Sequence, residues 1–249
     1  MEPVYSSIIS LARVVFAAQG LKFTIHGAEN VPRKGGAVMA INHTGYMDFT
    51  YAGLAAKPAK RLVRFMAKDQ VFKHRISGPL MRGMHHIPVD RDAGAGSFRE
   101  AVRVLKDGEI VGVFPEATIS RSFELKEFKS GTIRMAAMAG VPILPTVIWG
   151  SQRVWTKDHP KRLGRTNVPI ILSVGEPITV ERRDDAEAAN LLLMQRMTEL
   201  LHAAQDEYPP LIGDDLKFLP ARLGGTAPTP QRAAELDAEE AANRAARRT

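Results

Sequence analysis

The chain has 249 residues, 45% hydrophobic and 24% charged, with a formal net charge of +7 and no cysteine. That length is ample for one large core, and the composition is that of a globular protein, not a fibrous or disordered one. The missing thiols exclude disulfides, thiolate metal sites and a cysteine nucleophile.

From the amino terminus, Val4 to Leu21 is mostly apolar, but Arg13 divides it into stretches shorter than the roughly 20 residues a membrane span needs. Glu2 stands where a secretory signal carries basic residues. The spacing of Ile8, Leu11, Val15 and Ala18 predicts an amphipathic helix, suited to core packing or to lying in a membrane interface. The chain is therefore expected to be peripheral or monotopic at most.

Short Val/Ile-rich runs follow at Lys22–His26, Ala37–Ile41, Leu62–Met66, Ile110–Phe114, Ile143–Trp149 and Pro169–Val174, and read as buried strands. Helical blocks alternate with them. Ser97–Asp107 opens on a Ser-x-x-Glu capping box (Ser97, Glu100) and stops at Gly108. A second block covers Thr132–Ala139. A third spans Asp184–Asp206, with Leu191, Met194, Thr198 and Leu201 along one side. The alternation predicts a single α/β domain, a mostly parallel central sheet flanked by helices, with the amphipathic helix ahead of it. The expected division is a helix over 1–21, the domain over 22–220 and an Ala/Glu/Arg-rich tail over 221–249. That tail lacks the large apolar residues of a core and reads as a solvated helix or as disorder.

Charge is concentrated between Lys57 and Arg91, where nine Lys and Arg residues face only Asp69 and Asp90. Such a stretch attracts polyanions, whether phosphorylated metabolites, an anionic bilayer or nucleic acid, and does not choose among them.

The most informative segment is Asn42-His43-Thr44-Gly45-Tyr46-Met47-Asp48, directly after a predicted strand. His43 and Asp48 lie roughly 140° apart on a helix and on opposite faces of a strand. They meet only if the chain turns between them, which Gly45 permits. Should they meet, Asp48 fixes the imidazole tautomer and His43 becomes a competent general base. Three further segments accompany this one. Ile87-Pro88-Val89-Asp90-Arg91 ends in an arginine after a strand-like run. Phe114-Pro115-Glu116-Ala117-Thr118-Ile119-Ser120-Arg121 joins a carboxylate, hydroxyls and a guanidinium, and Val141-Pro142-Ile143-Leu144-Pro145 leads into a strand.

In this order and spacing the four segments resemble the four motifs of the glycerophospholipid acyltransferase family, over roughly Ala37 to Thr146. Phe128-Lys129-Ser130-Gly131 is similar to the Phe-Lys-x-Gly segment that often follows the third motif. The resemblance implies direct transfer of a fatty acyl group from a thioester to a hydroxyl, with His43 as base, Asp48 as its support and no acyl-enzyme. It implies that Arg91 holds the acceptor's phosphate, bidentately. It also implies that Glu116 and Thr118 position the acceptor or shape its site. Ala117 and Ile119 depart from the family's glycine and arginine; Arg121, two residues on, and Lys129 are further candidates for phosphate contact.

The implied acceptor is 1-acyl-glycerol 3-phosphate, giving phosphatidic acid, with glycerol 3-phosphate or another lysolipid as alternatives. The donor would be acyl-CoA or acyl-carrier protein, with no bound cofactor, at the anionic cytoplasmic surface of the cell membrane. No metal is expected, because the adjacent His85 and His86 point to opposite faces of a strand. Two rivals come from other classes. A non-catalytic module binding anionic membrane or nucleic acid has the charge but no recognisable nucleic-acid signature. A serine hydrolase would use Ser120 or Ser122, which sit on no nucleophile turn.

Overall fold

The computed structural model describes residues 2–90 and 94–246. In chain order its elements are α1 (Pro3–Ala18), β1 (Lys22–His26), β2 (Ala37–Ile41), α2 (Asp48–Ala55), β3 (Val63–Lys68), α3 (Asp69–Lys73), α4 (Ser77–Gly83), β4 (Ile87–Val89), α5 (Gly94–Lys106), β5 (Ile110–Val113), α6 (Gly131–Ala139), β6 (Ile143–Trp149), β7 (Pro169–Val174), α7 (Ala186–Glu207) and α8 (Pro230–Ala246).

Every residue of β2 is fully buried, and its side chains alternate between two cores. Val38 and Ala40 join a core with Leu105, Val111, Ile133 and Leu193. Ala37, Met39 and Ile41 join another with Phe16, Tyr51, Val63 and Ile170. A strand apolar on both faces needs a layer on each side, and the result is one sheet between two helical layers. The seven strands run in the order β1-β7-β6-β2-β5-β3-β4. β6, β2, β5, β3 and β4 are parallel, while β7 is antiparallel to β6 and carries β1 parallel to itself. Five strands therefore end at the same edge, the edge where open α/β sheets build their sites.

Several expectations need correction. The strand expected at Leu62–Met66 runs from Val63 to Lys68, because Met66, Ala67 and Lys68 pair with β4 as an edge strand. The predicted capping box does not form. α5 begins at Gly94, so the chain is already helical at Ser97, where a cap needs extended backbone. Ser97 Oγ instead accepts the Asp90 N–H at 3.4 Å, and Glu100 pairs with Arg103.

α1 docks by a stripe that shares only Ile8 with the predicted one. Tyr5, Phe16 and Gln19 are buried, with Ile9 and Ala12 half-buried between them, and the Tyr5 hydroxyl donates to Val63 O at 2.7 Å. Leu11 and Val14 stay about two-thirds exposed. In α7 the buried line is Leu193, Met197, Leu201 and Ala204, and Leu191 faces out. Asp185 caps that helix through the Glu187 N–H.

Within the tail Ala227 is buried in the core and Pro230–Ala246 forms a helix, α8, which rests on the domain through charge: only Ala233 of the helix's apolar residues is buried, with Leu236 half-buried beside it. The basic stretch is in part structural. Arg61 donates to the Pro32, Gly35 and Gly108 carbonyls, Arg82 to that of Phe72, and Arg64 is buried against Glu2 and Glu109. Among the described residues no helix is long and apolar enough to cross a membrane.

Candidate active site

β2 is the central strand of the parallel set, and the chain turns as it leaves the sheet. Asn42 holds the exit by extending the ladder with its side chain: Oδ1 accepts the Ile148 N–H at 2.7 Å and Nδ2 donates to Ile148 O at 3.0 Å. The turn that follows is tight. A Cβ on Gly45 would lie 3.1 Å from Ser151 O, Ser151 Oγ and Trp155 O, so a larger residue fits only if those neighbours give by a few tenths of an ångström. α2 then starts at Asp48, whose carboxylate faces back into the turn.

The turn brings His43 and Asp48 together. Asp48 Oδ2 accepts from His43 Nδ1 at 2.9 Å and from the Thr44 and Gly45 N–H groups at 2.8 Å each. Oδ1 accepts from Ser151 Oγ at 2.5 Å, and Ser151 in turn accepts from Thr44 Oγ1 at 3.1 Å. The Asp48 side chain is fully buried, while His43 retains 21% exposure. With Nδ1 donating to a carboxylate, Nε2 is the ring nitrogen that can take a proton. The ring stacks on Phe114 at 4.2 Å between centroids.

Glu116 acts from the end of β5. One oxygen accepts the His43 backbone N–H at 2.8 Å and the other the Lys126 N–H at 3.2 Å. His43 O accepts the Ser120 N–H at 2.7 Å, so the histidine's backbone is held on both sides. Burial pushes the Glu116 carboxyl up to about 8, against the pull of those two N–H groups and the Lys126 charge. Through these two bonds the Glu116 carboxyl fixes the site's backbone.

A model of the Acyltransferase family matches residues 22–149, just over half of the chain. The chain belongs to the acyltransferase family. It is 28% identical to the 1-acyl-sn-glycerol-3-phosphate acyltransferase of Bacillus subtilis over 203 residues, 80% of this chain and 94% of that one. It is also 28% identical to the enzyme of that name from Borreliella burgdorferi over 178 residues, 69% of this chain and 68% of the other. In fold it is similar to the crystal structure of the 1-acyl-sn-glycerophosphate acyltransferase PlsC of Thermotoga maritima, with a TM-score of 0.67 and 22% identity over 82% of this chain and 81% of that one. Family membership decides for an O-acyltransferase and against the non-catalytic binding module.

The remaining candidate residues of this acyltransferase fall into place unevenly. Thr118 Oγ1 accepts from Lys126 Nζ at 2.7 Å, beside Glu116. Arg121 is nearly buried and ion-paired to Asp158, Asp237 and Glu240. Lys129 is exposed, with its backbone N–H on Pro115 O, and it is Lys126 whose ammonium joins the neighbouring charges. Arg91 lies outside the described residues. Ser120 is fully buried, its hydroxyl donating to Glu124 O at 2.7 Å and facing Ser122 Oγ, so it serves the loop.

Sequence reasoning missed Ser151, Lys126 and Lys157. Ser151 had a signal: it stands two residues past a predicted strand at the edge where sites collect. The two lysines had none, since their carboxylate partners lie 80 or more residues away, on α8.

Proposed function

We propose that the chain transfers a fatty acyl group from an acyl thioester to the free hydroxyl of 1-acyl-glycerol 3-phosphate, yielding phosphatidic acid for phospholipid synthesis. The observation that carries this reading is the His43 Nδ1 contact with Asp48, 2.9 Å long, at the carboxyl edge of the sheet in a chain of this family. His43 Nε2 removes the acceptor's hydroxyl proton as the oxygen attacks the thioester carbonyl. The tetrahedral intermediate then collapses, the carbon–sulfur bond breaks, and the thiolate takes the proton from the imidazolium. Asp48 stabilises that imidazolium. The names of the relatives supply the acceptor. Either acyl-CoA or acyl-carrier protein supplies the thioester, and Arg91 and Arg121 are the proposed phosphate ligands.

We infer further that the reaction runs at an anionic membrane surface. α1 lies beside α4, with Val4 against Gly83; α1 exposes Leu11, Val14 and Val15, α4 exposes Leu80, and Lys73, Arg75 and Ile76, just before α4, are exposed too. Apolar side chains set among cations suit an interface of acyl chains and anionic headgroups.

The test is thiol release from palmitoyl-CoA and from palmitoyl-carrier protein, with 1-acyl-glycerol 3-phosphate, glycerol 3-phosphate or lysophosphatidylglycerol as acceptor. The expected result is release dependent on 1-acyl-glycerol 3-phosphate, with phosphatidic acid as product and a loss of about 100-fold or more in folded His43→Ala. Full activity in that variant would remove His43 from the chemistry, and preference for another acceptor would replace the substrate named here.

A further inference from the structure

Beside the His43 turn, three cations converge on two carboxylates that come from the far end of the chain. Arg121 bonds Asp237 and Glu240, Lys157 Nζ reaches both at 3.1 Å each, and Lys126 bonds Asp237 while also touching Thr118 Oγ1. Asp237 and Glu240 stand one turn apart on the inward face of α8. The cluster adjoins the candidate active site, since the two oxygens of Glu116 bridge the backbone N–H groups of Lys126 and His43.

We propose that Arg121, Lys126 and Lys157 form a subsite for a phosphate monoester, and that α8 fills it with Asp237 and Glu240 until the acceptor's phosphate displaces the helix. The proposal rests on the acceptor reading above and deepens it.

Three observations support it. First, charge matches. With α8 in place the three cations face Asp158, Asp237 and Glu240, so that among the described residues three positive charges meet three negative ones. With α8 away only Asp158 remains, leaving a charge of about +2, the complement of a phosphate monoester near neutral pH. Second, the grip on α8 is electrostatic. Ala233 and Leu236 are its main apolar contacts with the domain, and Arg121 and Lys157 hold the Glu240 carboxyl down to about 2. An anion of equal charge competes directly for the same donors. Third, guanidinium and ammonium groups gathered beside a hydroxyl offer a phosphate's oxygens several donors at once, as the two carboxylates now use them.

The experiment follows amide hydrogen exchange of residues 230–246 in the full chain, with four additions, the phosphate and the chloride being added to the same ionic strength. These are inorganic phosphate, 1-acyl-glycerol 3-phosphate in detergent, sodium chloride, and phosphatidylglycerol vesicles. The expected result is exchange about tenfold faster with either monoester and unchanged by chloride or the diester vesicles. In Asp237→Asn/Glu240→Gln, exchange is already fast and monoesters add nothing, while KM for the acceptor falls about fivefold or more with kcat little changed. Unchanged exchange with both monoesters overturns the proposal, as does an equal response to chloride, which is screening. A response to the vesicles alone assigns the displacement to a membrane and overturns the acceptor subsite. The two readings fail separately: acyl transfer with a silent α8 removes the subsite alone. An α8 that answers phosphate in a folded protein transferring to no phosphate-bearing acceptor removes the acceptor reading alone.

Discussion

Ser151 Oγ donates to Asp48 Oδ1 at 2.5 Å across 103 residues of sequence, joining the end of β6 to the start of α2. Both side chains are fully buried. The hydroxyl satisfies the one carboxylate oxygen that the His43 turn leaves over, so it holds Asp48 in the plane that meets Nδ1. Ser151→Ala leaves that oxygen without a donor, which costs about 1–3 kcal/mol. The expected outcome is a kcat lower by about tenfold with KM for both substrates little changed. Ser151→Thr keeps the hydroxyl and restores most of kcat, though its extra methyl lowers the melting temperature. Equal kcat loss in both variants would make Ser151 a packing residue only.

Glu116 ties the ends of β2 and β5 together while fully desolvated, and its carboxyl stands at about 8 against 4.5 in the unfolded chain. Between those values the native state holds a proton that the unfolded state has released. Stability from this group therefore falls as pH rises from 4.5 to 8, and is level outside that window. Glu116→Gln has no proton to exchange. It also sets an amide NH2 against one of two backbone N–H groups, costing about 1–3 kcal/mol. Denaturant midpoints at intervals from pH 4.5 to 8.5 should show the gap between wild type and Glu116→Gln narrowing as pH rises. A constant gap would mean that Glu116 titrates alike in both states.

The strand positions were largely legible because β2, β6 and β7 are apolar on both faces, a pattern that survives any choice of register. The His43–Asp48 pair was legible through Gly45, since a turn is the only local conformation that joins them. The docking stripe of α1 was not. Leu11 and Val15 satisfy helical periodicity as well as Tyr5 and Phe16 do, and the choice depends on Val63, Phe72 and Tyr51, which the sequence places far away. The role of α8 was hidden for a related reason: without apolar periodicity it reads as solvated, and Arg121 lies 116 residues from Asp237.

Ala117 occupies the position where the family's third motif carries glycine, and its φ is +60°. A Cβ in that conformation crowds the following carbonyl by roughly 1–2 kcal/mol. Glycine removes the strain and returns about 0.5–1 kcal/mol to the unfolded chain as entropy. The side chain is exposed, so no packing is lost. Ala117→Gly should raise stability by up to about 1 kcal/mol, a melting increase of about 2–4 °C, measured by calorimetry. A lower melting temperature would show that the Ala117 methyl makes a favourable contact outweighing its backbone strain.

His86 gives the protein an acid limit unrelated to the active site. Its Nδ1 accepts the Phe65 N–H at 3.0 Å, and the rings of Tyr5 and Phe65 meet it edge-on at 5.7 and 5.6 Å. Burial, with the nearby Arg64 guanidinium, depresses it from 6.5 to about 4. Below pH 6.5 the unfolded chain binds a proton at this residue while the native state does not, so stability falls as pH drops from 6.5 to 4 and levels off below. At about 1.4 kcal/mol per pK unit the loss approaches about 3 kcal/mol. His86→Asn keeps an acceptor for the Phe65 N–H and has nothing to protonate. It should be less stable than wild type at pH 7, from lost packing, yet show a shallower decline in denaturant midpoint toward pH 4, so that the two curves converge. Parallel curves would mean that His86 takes up its proton equally in the folded and unfolded chain, and the acid sensitivity would then belong to the paired carboxylates.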